Sequence, residues 1–155
     1  MRSSPSWNAI VPGAAWLVAV LAAGCSGVSS VGKTFPVTGK VTIDNEPLTA
    51  PSTVVLFQPD IVRGNPSPFE AVGTVDTNGN YKLTTKDKSG AVPGWYKVVV
   101  TATSSAAEHA KSPHGSRPVP RSLLPPKYGL ADTSDLAIEV VENPAPGAYD
   151  LNLTR

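Results

Sequence analysis

Few residues in this chain could do covalent chemistry, and the first of them is Cys25, its only cysteine. It follows a short apolar run, Ala14-Ala15-Trp16-Leu17-Val18-Ala19-Val20-Leu21-Ala22-Ala23-Gly24. That run is too short to cross a bilayer but fits the apolar region of a secretory signal. Small residues just ahead of the thiol leave room for a peptidase. With no second cysteine a disulfide framework is excluded, so the lone thiol calls for another explanation.

The remaining candidates are weaker. His109 and His114 are the only histidines, with Glu108 beside them. Their spacing of five matches no His-Glu-x-x-His helix, and no cysteine ligands are at hand, so neither metal nor cofactor is expected. Asp76-Thr77-Asn78-Gly79 opens like a calcium loop, yet Tyr81-Lys82-Leu83 follows where the loop would need its later glutamate; a hairpin turn is the reading. Serines are plentiful, but no Gly-x-Ser-x-Gly elbow occurs, and no catalytic residue is assigned. Asp132, Asp135, Glu139 and Glu142 read as solvated faces and loop caps. Arg117, Arg121 and Lys127, set among prolines, form a candidate partner-binding set for a peptide or an anionic glycan; the alternative is a solubilising loop.

Charge narrows the classes further. The 155-residue chain has a formal charge of +1, and losing Arg2 with the signal makes it neutral. Nucleic acid is therefore not an expected partner, since it calls for a basic stripe. The 16 prolines and 13 glycines fall as punctuation between short apolar segments, which suits an all-β domain.

The elements that must carry these residues follow from period two. Val37, Gly39, Val41 and Ile43 alternate with Thr38, Lys40, Thr42 and Asp44, giving a first strand. Asp44-Asn45-Glu46-Pro47 supplies a turn. Thr53–Phe57 is a nearly continuous apolar strand stopped by Pro59, and Asp60–Pro68 is a loop. Ala71–Val75 and Tyr81–Thr85 flank Asp76-Thr77-Asn78-Gly79-Asn80, a hairpin signal in which Asn78 and Gly79 can both take positive φ. Trp95–Ala102 is the longest strand and should be central, with Tyr96, Val98 and Val100 on one face. The stretch 103–134 has no strand pattern; Leu123, Leu124 and Tyr128 suggest that its second half docks on the body. Leu136, Ile138 and Val140 alternate as another strand, and Tyr149, Leu151 and Leu153 as the last. About seven strands without a clear helix predict a small antiparallel β-sandwich, Greek-key-like, with one long Pro-rich connection.

The residues around Cys25 resemble a bacterial lipobox, with Leu21 one place earlier than its usual position. Phe35-Pro36-Val37-Thr38-Gly39-Lys40-Val41 with Pro47-Leu48 resembles the opening of carboxypeptidase-regulatory-like domains. Gly73-Thr74-Val75-Asp76-Thr77-Asn78-Gly79-Asn80-Tyr81 and Val92-Pro93-Gly94-Trp95-Tyr96-Lys97-Val98 resemble that family's hairpin and following strand. Leu124-Pro125-Pro126-Lys127-Tyr128 is similar to a segment of small bacterial lipoproteins built on the same, transthyretin-like domain.

These resemblances imply a division into a lipoprotein signal peptide over 1–24, a flexible tether over 25–34 and a β-sandwich over 35–155. Cys25 would carry a lipid such as palmitate and tie the domain to a membrane, in the bacterial cell envelope, facing the periplasm or the exterior. The role implied is binding or structural and non-catalytic, with an envelope protein or glycan as the further partner. The alternatives are a transthyretin-related hydrolase, whose terminal Tyr-Arg-Gly-Ser is replaced here by Tyr149-Asp150-Leu151-Asn152-Leu153-Thr154-Arg155, and a ligand- or carbohydrate-binding protein.

Overall fold

Alternation does decide the first strand. The computed structural model describes residues 30–104 and 121–155, and in it Thr38–Ile43 forms β1 with Val41 and Ile43 buried and Lys40 exposed. The further strands are β2 (Glu46–Pro47), β3 (Ser52–Pro59), β4 (Ala71–Thr74), β5 (Asn80–Lys82) and β6 (Thr84–Thr85). They are followed by β7 (Lys88–Ser89), β8 (Gly94–Thr103), β9 (Ala137–Val140) and β10 (Leu151–Leu153). The fold is an all-β sandwich. One sheet runs β7-β6-β4-β3-β8-β9; the other runs β10-β1-β2, with β5 also on β1.

The core lies between the two sheets. β8 supplies Tyr96, Val98, Val100 and Ala102, β3 supplies Val55 and Phe57, and β1 and β10 answer with Val41, Ile43, Leu151 and Leu153. β8 is an interior strand, paired with β3 from Ser52↔Thr103 to Pro59↔Tyr96 and with β9 on its other side. Phe57 sits at the centre, its ring 5.7 Å from that of Tyr96 and 6.3 Å from that of Tyr81. Such tilted aromatic contacts add to simple burial.

Several expectations need correction. The last strand is parallel to the first, Val41↔Leu151 through Ile43↔Leu153, so the sandwich is not purely antiparallel. Period two is the same in both directions, and only the chain's return path sets the sense. Tyr149 lies in the turn ahead of β10 rather than in it. The expected Ala71–Thr85 hairpin is split. Val75 still bridges Tyr81 and Val72 pairs with Thr84, but Asn80–Lys82 leaves β4 and pairs with Thr38–Lys40 of β1. That half of β1 would otherwise lack partners for its backbone groups. The split, with the short ribbons β2 and β7, raises seven expected strands to ten segments.

The turns differ as well. In the Asp76–Asn80 loop only Gly79 has positive φ, +83°, and its N–H donates to the Asp76 carbonyl at 3.0 Å. This is a type I turn closed by a left-handed glycine. The paired positive φ values fall instead on Asp44 (50°) and Asn45 (70°), a type I′ turn between β1 and β2. Of the docking residues expected in the second half of the long connection, Leu124 and Tyr128 are buried, Tyr128 on the 3-10 turn Pro126–Gly129. Leu123 is exposed, because Thr103↔Ser122 pairing turns successive side chains to opposite faces.

The type I′ turn gives a two-signed expectation. Asn45→Gly should stabilise the domain by roughly 0.5 kcal/mol, while Asn45→Ala should cost about 1 kcal/mol, since a left-handed backbone crowds Cβ. Urea midpoints of the two variants check it; a shift in the same direction for both would contradict the turn assignment.

Candidate functional site

The split hairpin leaves an open surface groove of about 570 Å³ along β1 and β5. Thr38, Gly39 and Lys40 of β1 line it together with Asn80, Tyr81 and Lys82 of β5, and with Thr74, Asp76 and Asp150. Gly39 is required there, because a Cβ would collide with the Tyr149 carbonyl.

The polar groups of the cleft are largely committed to the fold. The Asp150 carboxylate accepts from the Lys40 backbone N–H at 2.9 Å. The buried Tyr81 hydroxyl donates to the Tyr149 carbonyl at 2.6 Å. Burial, and then the neighbouring Asp150 and Tyr149, push this phenol far above its ordinary range, so it stays protonated. Asp76 accepts from the backbone N–H groups of Asn78 and Asn80, both at 2.8 Å, and from the Asn80 amide at 3.2 Å. The Asn80 and then the Asn78 N–H bonds hold its carboxyl below the usual value, with Lys40 adding a smaller attraction. Among the described residues, no hydrogen bond joins a hydroxyl of this cleft to a base. Lys40 and Lys82 set two cations beside Asp76 and Asp150 along its rim.

The residues singled out from sequence fall as follows. Cys25, Glu108, His109, His114 and Arg117 lie outside the described residues. Arg121 is exposed at the far end of β8, where the Ser104 N–H donates to its carbonyl at 3.0 Å and the Ser104 hydroxyl accepts from its N–H at 3.2 Å. Lys127 is held by the Asp135 carboxylate at 3.1 Å and lies 4.6 Å from the Tyr128 ring. Glu142 pairs with Lys33 at 2.9 Å, while Asp132 and Glu139 are exposed. Among the described residues no three metal-ligating side chains cluster.

The cleft itself was not foreseen. Lys40 and Asp150 are 110 positions apart, and only the β1–β10 pairing joins them. The Asp-x-Asn-x-Asn spacing of the turn was the one local signal of it.

The chain was compared with protein-family models, curated proteins and solved structures, and it matches none of them.

Asp76 yields a pH dependence. Its folded pKa is lowered, so its contribution is fully present above the ordinary carboxylate value and lost as pH falls through the depressed one. Acid unfolding should therefore be shallower in Asp76→Asn than in the native chain below pH about 4. Denaturant midpoints measured across that range check this; parallel curves would remove the role of the charge.

Proposed function

We propose that this chain is a bacterial lipoprotein: residues 1–24 are removed as a signal, Cys25 is acylated, and a non-catalytic β-sandwich is held at the envelope membrane. The domain is of carboxypeptidase-regulatory-like type and faces the periplasm or the exterior. Its role is binding or structural.

The observation that carries this reading is the placement of a single thiol directly after an apolar run and just ahead of a sandwich. Among the described residues, contacts with the domain begin at Val31, which is buried. The Lys88 ammonium donates to the Val31 carbonyl at 2.6 Å and to that of Gly32 at 3.2 Å. The anchored thiol thus sits close to a body large enough to fold without disulfides. Bacterial lipoproteins carry more than one acyl chain, as stable anchoring requires. Arg121, at the opposite end of β8 from this junction, then faces away from the membrane; in this reading Arg117, Arg121 and Lys127 are the candidate partner-binding residues, toward an envelope protein or an anionic glycan. The polar, committed character of the cleft supports a binding role over hydrolysis.

Metabolic labelling with a palmitate analogue tests the proposal. The native chain should take label and sediment with membranes, and Cys25→Ala should do neither. An unlabelled native chain with residues 1–24 retained would overturn it.

A further inference from the structure

One end of the sandwich differs in chemistry from the rest. β8 begins there at Gly94, β9 ends at Val140 and β3 ends at Pro59. The chain arrives at this same end: Phe35 pairs with Ala91 just before β8, and Lys33 reaches Glu142 just after β9.

Directly after β3 comes a rigid apolar tip. Ile61 and Val62 are 76% and 97% exposed, on a 3-10 turn. The turn is capped by Asp60, whose carboxylate accepts from the Arg63 N–H at 3.3 Å, and closed by left-handed Gly64. The buried Asn65 side chain ties it to the Trp95 carbonyl at 2.8 Å.

Three half-buried aromatic rings ring the same end, each under a cation. Lys33 lies 4.6 Å from Phe35, Arg63 lies 4.8 Å from Trp95, and Lys86 lies 3.9 Å from Phe69. Amphipathic rings with long basic side chains are the groups that settle at the headgroup level of a bilayer.

We propose that this end docks on the lipid surface, with Ile61 and Val62 inserted among the headgroups as a second contact beside the acylated Cys25. This rests on the lipoprotein reading. The length of free chain fixes the occupant: five residue steps from Cys25 to Ser30 reach at most about 18 Å, so an acylated Cys25 keeps this end at the bilayer. Asp60, Glu70, Asp87, Asp132 and Glu142 balance Lys33, Arg63, Lys86, Lys88 and Lys97 there. The attraction is therefore apolar and does not depend on anionic lipid.

The test uses the mature acylated protein in vesicles of phosphatidylethanolamine with phosphatidylglycerol. Acylation blocks the native thiol, so Val62→Cys offers a single site for an environment-sensitive fluorophore. Thr77→Cys, on the exposed turn at the other end of the sheet, is the control. Both positions are exposed, so neither change threatens folding. The label at position 62 should shift to the blue and be quenched by lipid-borne quencher, the label at 77 should not, and replacing the phosphatidylglycerol with phosphatidylcholine should leave the result unchanged. If mass analysis shows Cys25 acylated but both labels stay in water, or both enter lipid equally, the docked orientation is wrong while the anchor stands. An unmodified Cys25 in the native product would remove both.

Discussion

The hydroxyl of Tyr81 on the carbonyl of Tyr149 is the contact on which the arrangement depends. It joins the split hairpin to the turn before the last strand, 68 positions away, inside a buried site. The same device recurs at each of the chain's four tyrosines. Tyr96 donates to the Val92 carbonyl, Tyr149 bonds both backbone groups of Val141, and Tyr128 bonds Thr154. Each ring fills the core while its hydroxyl fastens a loop that would otherwise leave a polar backbone group unpaired. In a domain without disulfides, these bonds hold the irregular segments to the sheets.

Much of this was legible locally. β1 and β8 follow from alternation, and the turn at Asp76 follows from Asn-Gly chemistry. What was not legible is partner choice. Leu151 and Leu153 alternate identically whether β10 runs with β1 or against it. Asn80–Lys82 reads as the second arm of a hairpin because nothing local reveals that β1 lacks a neighbour on that side. The type I′ turn at Asp44-Asn45 was hidden because neither residue is glycine. Its conformation is supported from afar, where Arg155 donates to the Asp44 carboxylate through both its backbone N–H and its guanidinium.

The site was legible in a different proportion. The reading of Cys25 rests on local sequence alone and needs no fold. The cleft needs the fold entirely, since Lys40, Asp76 and Asp150 meet only after two non-adjacent strands pair. The apolar tip lies between: Ile61 and Val62 stand in a loop, but their exposure and the company of Trp95 and Phe69 are set by the ends of four strands.

At the opposite end of β8, Ser104 and Arg121 clasp each other through two hydrogen bonds, and Leu123 adds a third, its N–H donating to the Ala102 carbonyl at 2.9 Å. Such a clasp isolates the body from whatever chain is threaded between its jaws.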